Sequence, residues 1–189
     1  MAYVTLSEFK AFIGNQQGTS DDTDLQSDLD AGERTVNEYC QRIFDVAGAA
    51  SARTYAATAT EILRIHDCTT VTLVTTDGTT VAATEYQTEP LNLLSWSGAT
   101  RPIEQIRRLL SIWPVSTGGA TISVTATWGW SAVPADVKQA TRLIAKELLA
   151  ERNDGSEQPN SAQAAQARLN PYVRQLLNPL RRVEAFGIA

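Results

Sequence analysis

The sequence predicts an α+β fold, a helical bundle of about four helices with a β-rich insertion between the second and third. Three observations lead there. Apolar residues recur at helical spacing near both ends of the chain. Between Arg53 and Trp130 the composition turns to Thr, Val and Ile with turn residues, which suits pleated strands. Finally, Trp128-Gly129-Trp130 closes a strand, and Val133-Pro134-Ala135-Asp136 follows at once and opens an amphipathic helix.

Each element has its own local reason. Thr5 and Glu8 have capping-box spacing, Leu6, Phe9 and Ile13 make a short apolar face, and Gly14 stops the helix. Ser20 or Asp21 caps a second helix whose early acids suit the helix dipole. Its stripe of Leu25, Leu29, Gly32, Val36, Tyr39 and Ile43 reads as core, with a partner-helix surface as the alternative, and the helical signal stops at Asp45.

Ile62 to Ile65 reads as a strand. Val71 to Thr76, Asp77-Gly78 and Thr79 to Ala83 read as a hairpin, because Asp-Gly supplies the positive φ of a type I′ turn. Glu85 to Thr88 is read as its extension, Pro90 to Gly98 as ambiguous, Ile106 to Ile112 as a strand and Gly118-Gly119 as a turn. Ile122, Val124, Ala126 and Trp128 alternate with polar residues and mark the cleanest strand. Pro134 suits a first helical turn; Val137, Ala140, Ile144 and Leu148 form the apolar face behind it. Ser161 to Leu169 is helix-compatible, and a last helix runs from Tyr172 to Leu177 between Pro171 and Pro179. The expected organisation is 1–50 with 131–178 as helical core, 51–130 as β-rich insertion and 179–189 as a carboxyl-terminal tail.

Composition narrows the function. At 189 residues, 43% apolar and 20% charged, the chain is globular and can bury a core without staples. A net charge of −5 argues against an independent DNA-binding domain, though an acidic surface can line a channel through which DNA passes without sticking. Charge is uneven. Glu8, Asp21, Asp22, Asp24, Asp28 and Asp30 oppose only Lys10 near the start, and Arg168, Arg174, Arg181 and Arg182 oppose only Glu184 near the end. Such ends suit head-to-tail contact between copies, or are solvated faces. Cys40 and Cys68 are too far apart for a zinc motif and read as buried reduced thiols, as expected of a protein made in a reducing cytoplasm. No signal peptide or membrane span is expected.

No catalytic chemistry is indicated, and the chain is expected not to be an enzyme. His66 is the single histidine, which removes triads and two-histidine metal sites. Asp21, Asp22 and Asp24 lack calcium-loop spacing and read as helix-capping acids. Glu85 with Glu89 is a carboxylate pair that nothing singles out. Trp96, Trp113, Trp128 and Trp130 read as core or subunit-contact residues, with Trp128 and Trp130 expected on one face, clamping the sheet onto the helix after Pro134. Neither a cofactor nor a metal is expected.

The whole pattern resembles the phage head–tail connector proteins of the gp6-like, head-completion kind. The residues that carry it are Val4-Thr5-Leu6-Ser7-Glu8-Phe9-Lys10 with Gly14, the acidic helix ending Tyr39-Cys40-Gln41-Arg42-Ile43-Phe44, and Trp128 to Ala140 running on to Arg152. The ending Leu176-Leu177-Asn178-Pro179-Leu180-Arg181-Arg182 is similar to the family's, with Leu180 where a tyrosine is commoner. The resemblance implies a virion neck subunit made in the host cytoplasm. Its copies form a ring, commonly of twelve, that binds beneath the portal protein and extends the DNA channel toward a tail-side stopper protein. It further implies portal contact through the tail, at Leu180, Arg181, Arg182, Val183 and Phe186, because a flexible tail with an aromatic and arginines can order on binding. Two other classes stay open: a β-rich capsid-decorating or ligand-binding module on a helical oligomerisation platform, and a hydrolase using carboxylates alone. A DNA-binding regulator ranks last.

Overall fold

Thr5 and Glu8 cap the first helix reciprocally in the computed structural model. The structure describes residues 2–14, 18–57, 59–93, 95–114, 122–153 and 169–182. Helix α1 (Leu6–Ile13) ends at Gly14 with φ 78°, a left-handed conformation that glycine adopts without strain. Helix α2 (Asp22–Cys40) buries Leu25, Leu29, Gly32, Val36 and Cys40. It stops before Ile43, contrary to the sequence reading. Gln41 turns left-handed at φ 54° and closes the last turn onto Asn37, leaving Ile43 61% exposed and Cys40 as the innermost residue of that turn. Asp21 sits at the cap position without a side-chain capping bond, and Asp22 pairs with Lys10 Nζ at 2.6 Å instead.

Helix α3 (Ala135–Asn153) follows Pro134, whose carbonyl accepts from the Lys138 N–H. Its buried face is Val137, Ala140, Thr141, Ile144 and Ala145, while Leu148 is half-buried. Small residues win the inner positions because α2 and α3 approach closely. A Cβ on Gly32 would stand 3.0 Å from the Thr141 carbonyl oxygen. Asp28 is buried on α2 and pairs with Arg152 at 3.0 Å. Burial raises its carboxyl above the ordinary value, and Arg152 opposes that shift. Helix α4 (Pro171–Leu177), capped by the Asn170 side chain, buries Val173 and Leu177 against the other helices.

The chain divides into two compact units, 1–44 with 133–189 and Asp45–Ala132. Helices α1 to α4 belong to the first. The second is an antiparallel sheet, so the fold is mixed α+β as the sequence predicts. Strands β1 (Ser51–Tyr55), β2 (Ile62–Thr76), β3 (Thr79–Thr80), β4 (Tyr86–Glu89), β7 (Ile103–Arg108) and β8 (Ile122–Trp128) form one sheet. Its order is β1-β8-β2-β7-β4, with β3 paired to β2. Strands β5 (Ser95–Trp96) and β6 (Ala99–Thr100) make a separate hairpin in the stretch left ambiguous above.

Strand β8 buries Ile122, Val124, Ala126 and Trp128 and turns the alternate residues outward, as its alternation predicts. Asp77 and Gly78 carry positive φ in the β2–β3 turn. Elsewhere pairing overrides local signal. The two stretches read as separate strands are one long β2, bent by bulges where it leaves β7 for β8. Residues 86–89 pair with β7 and do not extend the hairpin. Strand β7 starts at Ile103 and ends at Arg108, so Leu109, Leu110 and Ile112 lie beyond it, exposed. The expected turn at Gly118-Gly119, and nearly all of the helix-compatible stretch 161–169, lie outside the described residues.

Candidate functional site

The last described residues of the helical unit, 178–182, are held by a built anchor. After α4 a single tight turn, Asn178 to Leu180, redirects the backbone, and Leu180 is 3% exposed. Tyr39, from the last turn of α2, donates its hydroxyl to Asn178 Oδ1 at 2.6 Å. The Arg181 guanidinium lies 5.0 Å from the centre of the same ring, a cation–π distance. The Arg182 N–H donates to the Cys40 carbonyl at 2.8 Å. That carbonyl belongs to the last turn of α2, one of the acceptors a helix end leaves open, and the arginines suit the negative end of the dipole.

Of the five residues expected to meet a portal, Leu180 packs inside, while Arg181 is exposed and Arg182 half-buried. Val183 and Phe186 lie outside the described residues. Sequence reasoning missed Tyr39 and Asn178. Its spacing puts Tyr39 on the core stripe, and no local pattern joins residues 139 positions apart.

The remaining chemistry-bearing residues resolve into packing. Glu85 and Glu89 each hold an arginine, Arg108 at 3.3 Å and Arg107 at 2.7 Å. The Arg107 hydrogen bond keeps the Glu89 carboxyl below the ordinary carboxylate value. His66 Nδ1 shares a hydrogen bond with the Tyr55 hydroxyl at 2.8 Å on an exposed surface. Burial pushes both thiols, Cys40 and Cys68, up to about 12, so neither is a nucleophile at neutral pH. Trp113 is fully buried; Trp128 Nε1 donates to the Ser51 carbonyl at 2.8 Å and Trp130 Nε1 to Asp67 at 3.2 Å. The indole N–H groups of all three thus donate to residues of the sheet unit. Trp128 and Trp130 are both buried, with Gly129 at φ 118° between them.

Among the described residues, no group of three or more His, Cys, Asp or Glu side chains could hold a metal ion, and no helix is long and apolar enough to cross a membrane.

No family model matches the chain, and no curated protein matches it. Solved structures do. The chain is similar to one from the neck of an empty GTA particle computed with C6 symmetry, with a TM-score of 0.61 and 22% identity. A chain of the native GTA particle's neck computed with C12 symmetry gives 0.57 and 20%, and one from the virion of the native gene transfer agent particle 0.53 and 24%. Each match covers 98% of this chain and 92% of the other. At these identities the likeness is one of fold, and it spans both units.

Proposed function

We propose that the protein is a structural head-to-tail adaptor, one subunit of a ring that sits beneath a portal and extends the DNA channel toward the tail. The observation that carries this reading is the fold likeness to neck chains over nearly the whole length, in particles treated with six- and twelvefold symmetry. The helices form the bundle scaffold, and the sheet unit is its insertion. About twelve copies close the ring through heterologous contacts, which a closed rotation satisfies without free ends. The partners are the portal protein above and a stopper protein on the tail side. DNA crosses without specific binding, as the net charge of −5 favours. The place of action is the virion neck, and no reaction is catalysed.

Portal contact is assigned to the tail from Leu180 onward. Leu180 acts as the buried root, Arg181 and Arg182 stand at the exit, and Val183 and Phe186 follow. The test is mass measurement with negative-stain imaging, with and without purified portal. A monomer or loose oligomer alone and a ring on the portal are expected. Arg181→Glu with Arg182→Glu should weaken portal binding by about tenfold, or 1.4 kcal/mol. A chain that ignores portal under all conditions overturns the proposal.

A further inference from the structure

A net charge of −5 repels a polyanion, so contact with one needs a local ridge of cations. Helix α3 carries such a ridge. Lys138, Arg142 and Lys146 follow one another at four-residue intervals, so they share an arc of about 80° on the helix surface. The acids of the same helix, Asp136, Glu147 and Glu151, fall on its other side.

The ridge is fixed against α1 and still reaches solvent. Phe12 lies beneath it, with the Arg142 guanidinium 5.6 Å and the Lys146 ammonium 5.9 Å from the ring centre. Arg142 Nε also donates to the Lys138 carbonyl at 3.3 Å. Lys138 and Arg142 are half-buried, and Lys146 is exposed. The carboxylate that Lys138 and Arg142 act on is Glu8, whose Oε2 already accepts from the Thr5 N–H and hydroxyl. Among the described residues none of the three cations closes an ion pair, whereas Arg101, Arg107, Arg108 and Arg152 each hold a carboxylate.

Cations ordered in advance and left without carboxylates suit a row of phosphates, because little ordering remains to be done on binding. The ridge is about 12 Å long, and one strand of a duplex carries about three or four phosphates over that length. An acidic helix of another copy fits less well. The exposed acids of α2, Asp24, Asp30 and Glu38, stand six and eight residues apart with Arg34 among them, and form no matching row.

We infer that Lys138, Arg142 and Lys146 contact the phosphodiester backbone of double-stranded DNA, without reading its sequence. The contact rests on the adaptor reading for the presence of DNA, and it names the face of α3 that meets the duplex.

The chain has three lysines, Lys10, Lys138 and Lys146, which makes acetylation a direct readout. The full chain, alone and on portal, is acetylated with and without a duplex of arbitrary sequence and read by mass spectrometry. DNA should protect Lys138 and Lys146 and leave Lys10, buried and paired with Asp22, unchanged. Three phosphate contacts should weaken binding about 40-fold between about 50 and 200 mM salt, measured by fluorescence anisotropy. Lys138→Gln with Lys146→Gln should reduce that loss to about fourfold, at an unchanged melting temperature.

Protection that appears on ring assembly without DNA would assign the ridge to a neighbouring copy and overturn the inference. Equal protection by polyglutamate would assign it to an acidic protein and overturn it too. A ring on portal whose lysines DNA leaves unprotected overturns this contact while the adaptor reading stands. Protection by DNA in a chain that never joins portal supports the contact and overturns the adaptor reading.

Discussion

Thr5 and Glu8 show how much one pair of side chains decides. The Thr5 hydroxyl accepts from the Glu8 N–H at 3.2 Å, and the Glu8 carboxylate accepts from the Thr5 N–H at 2.8 Å. Thr5→Ala should cost about 1 kcal/mol in urea unfolding. The Thr5 N–H hydrogen bond holds the Glu8 carboxyl below its ordinary 4.5. A depressed folded value contributes stability that is full above pH 4.5 and lost as pH falls through the lower folded value. Glu8→Gln should therefore remove part of the acid-side loss, which is measured by comparing unfolding midpoints at neutral pH and below pH 4.5. Gly129 is decided by backbone alone. It combines φ 118° with a Cβ position that would lie 2.6 Å from the Asp45 carbonyl oxygen. Gly129→Ala should destabilise the protein by about 1–3 kcal/mol, and an unchanged unfolding midpoint would refute the strain argument.

At the scale of elements, the last turn of α2 and the turn after α4 form one device. Tyr39→Phe keeps the ring beneath Arg181 but loses the hydroxyl bond to Asn178, whereas Tyr39→Ala loses both. Under the proposed adaptor role, the expected order of portal affinity is wild type, then Phe, then Ala, with a total loss of about 1–2 kcal/mol and an unchanged fold by circular dichroism. Equal binding by all three would show that this anchor plays no part in the proposed portal contact. The long β2 teaches a different lesson. Its amino-terminal half pairs with β7 and its carboxyl-terminal half with β8, and bulges absorb the change of partner. Nothing in a local window of Thr, Val and Ile distinguishes one bent strand from two short ones.

For the whole molecule, the sheet unit is closed at its own base. The Trp130 N–H donates to the Asp45 carbonyl and the Ala47 N–H to the Trp130 carbonyl, both at 2.8 Å, so the incoming and outgoing strands are tied together. Its core, including Leu63, Ile65, Ile106, Trp113, Ile122 and Val124, is contributed entirely from within residues 45–132. Residues 45–132 produced alone should fold cooperatively, with dispersed amide resonances and a single unfolding transition. A collapsed, undispersed spectrum would show that the helical unit is needed to complete them.

The sequence by itself determined the mixed class, the start and stop of α1, the type I′ turn, the alternation of β8 and the start of α3. Each depends on residues within a few positions of one another, where caps, turn glycines and period-two patterns act directly. Tertiary structure alone decided which strands pair, where α2 ends, and that Leu180 is buried while Tyr39 meets Asn178 and Arg181. Those outcomes depend on groups far apart in the chain meeting in space, and a pairing energy between distant residues leaves no mark on either neighbourhood.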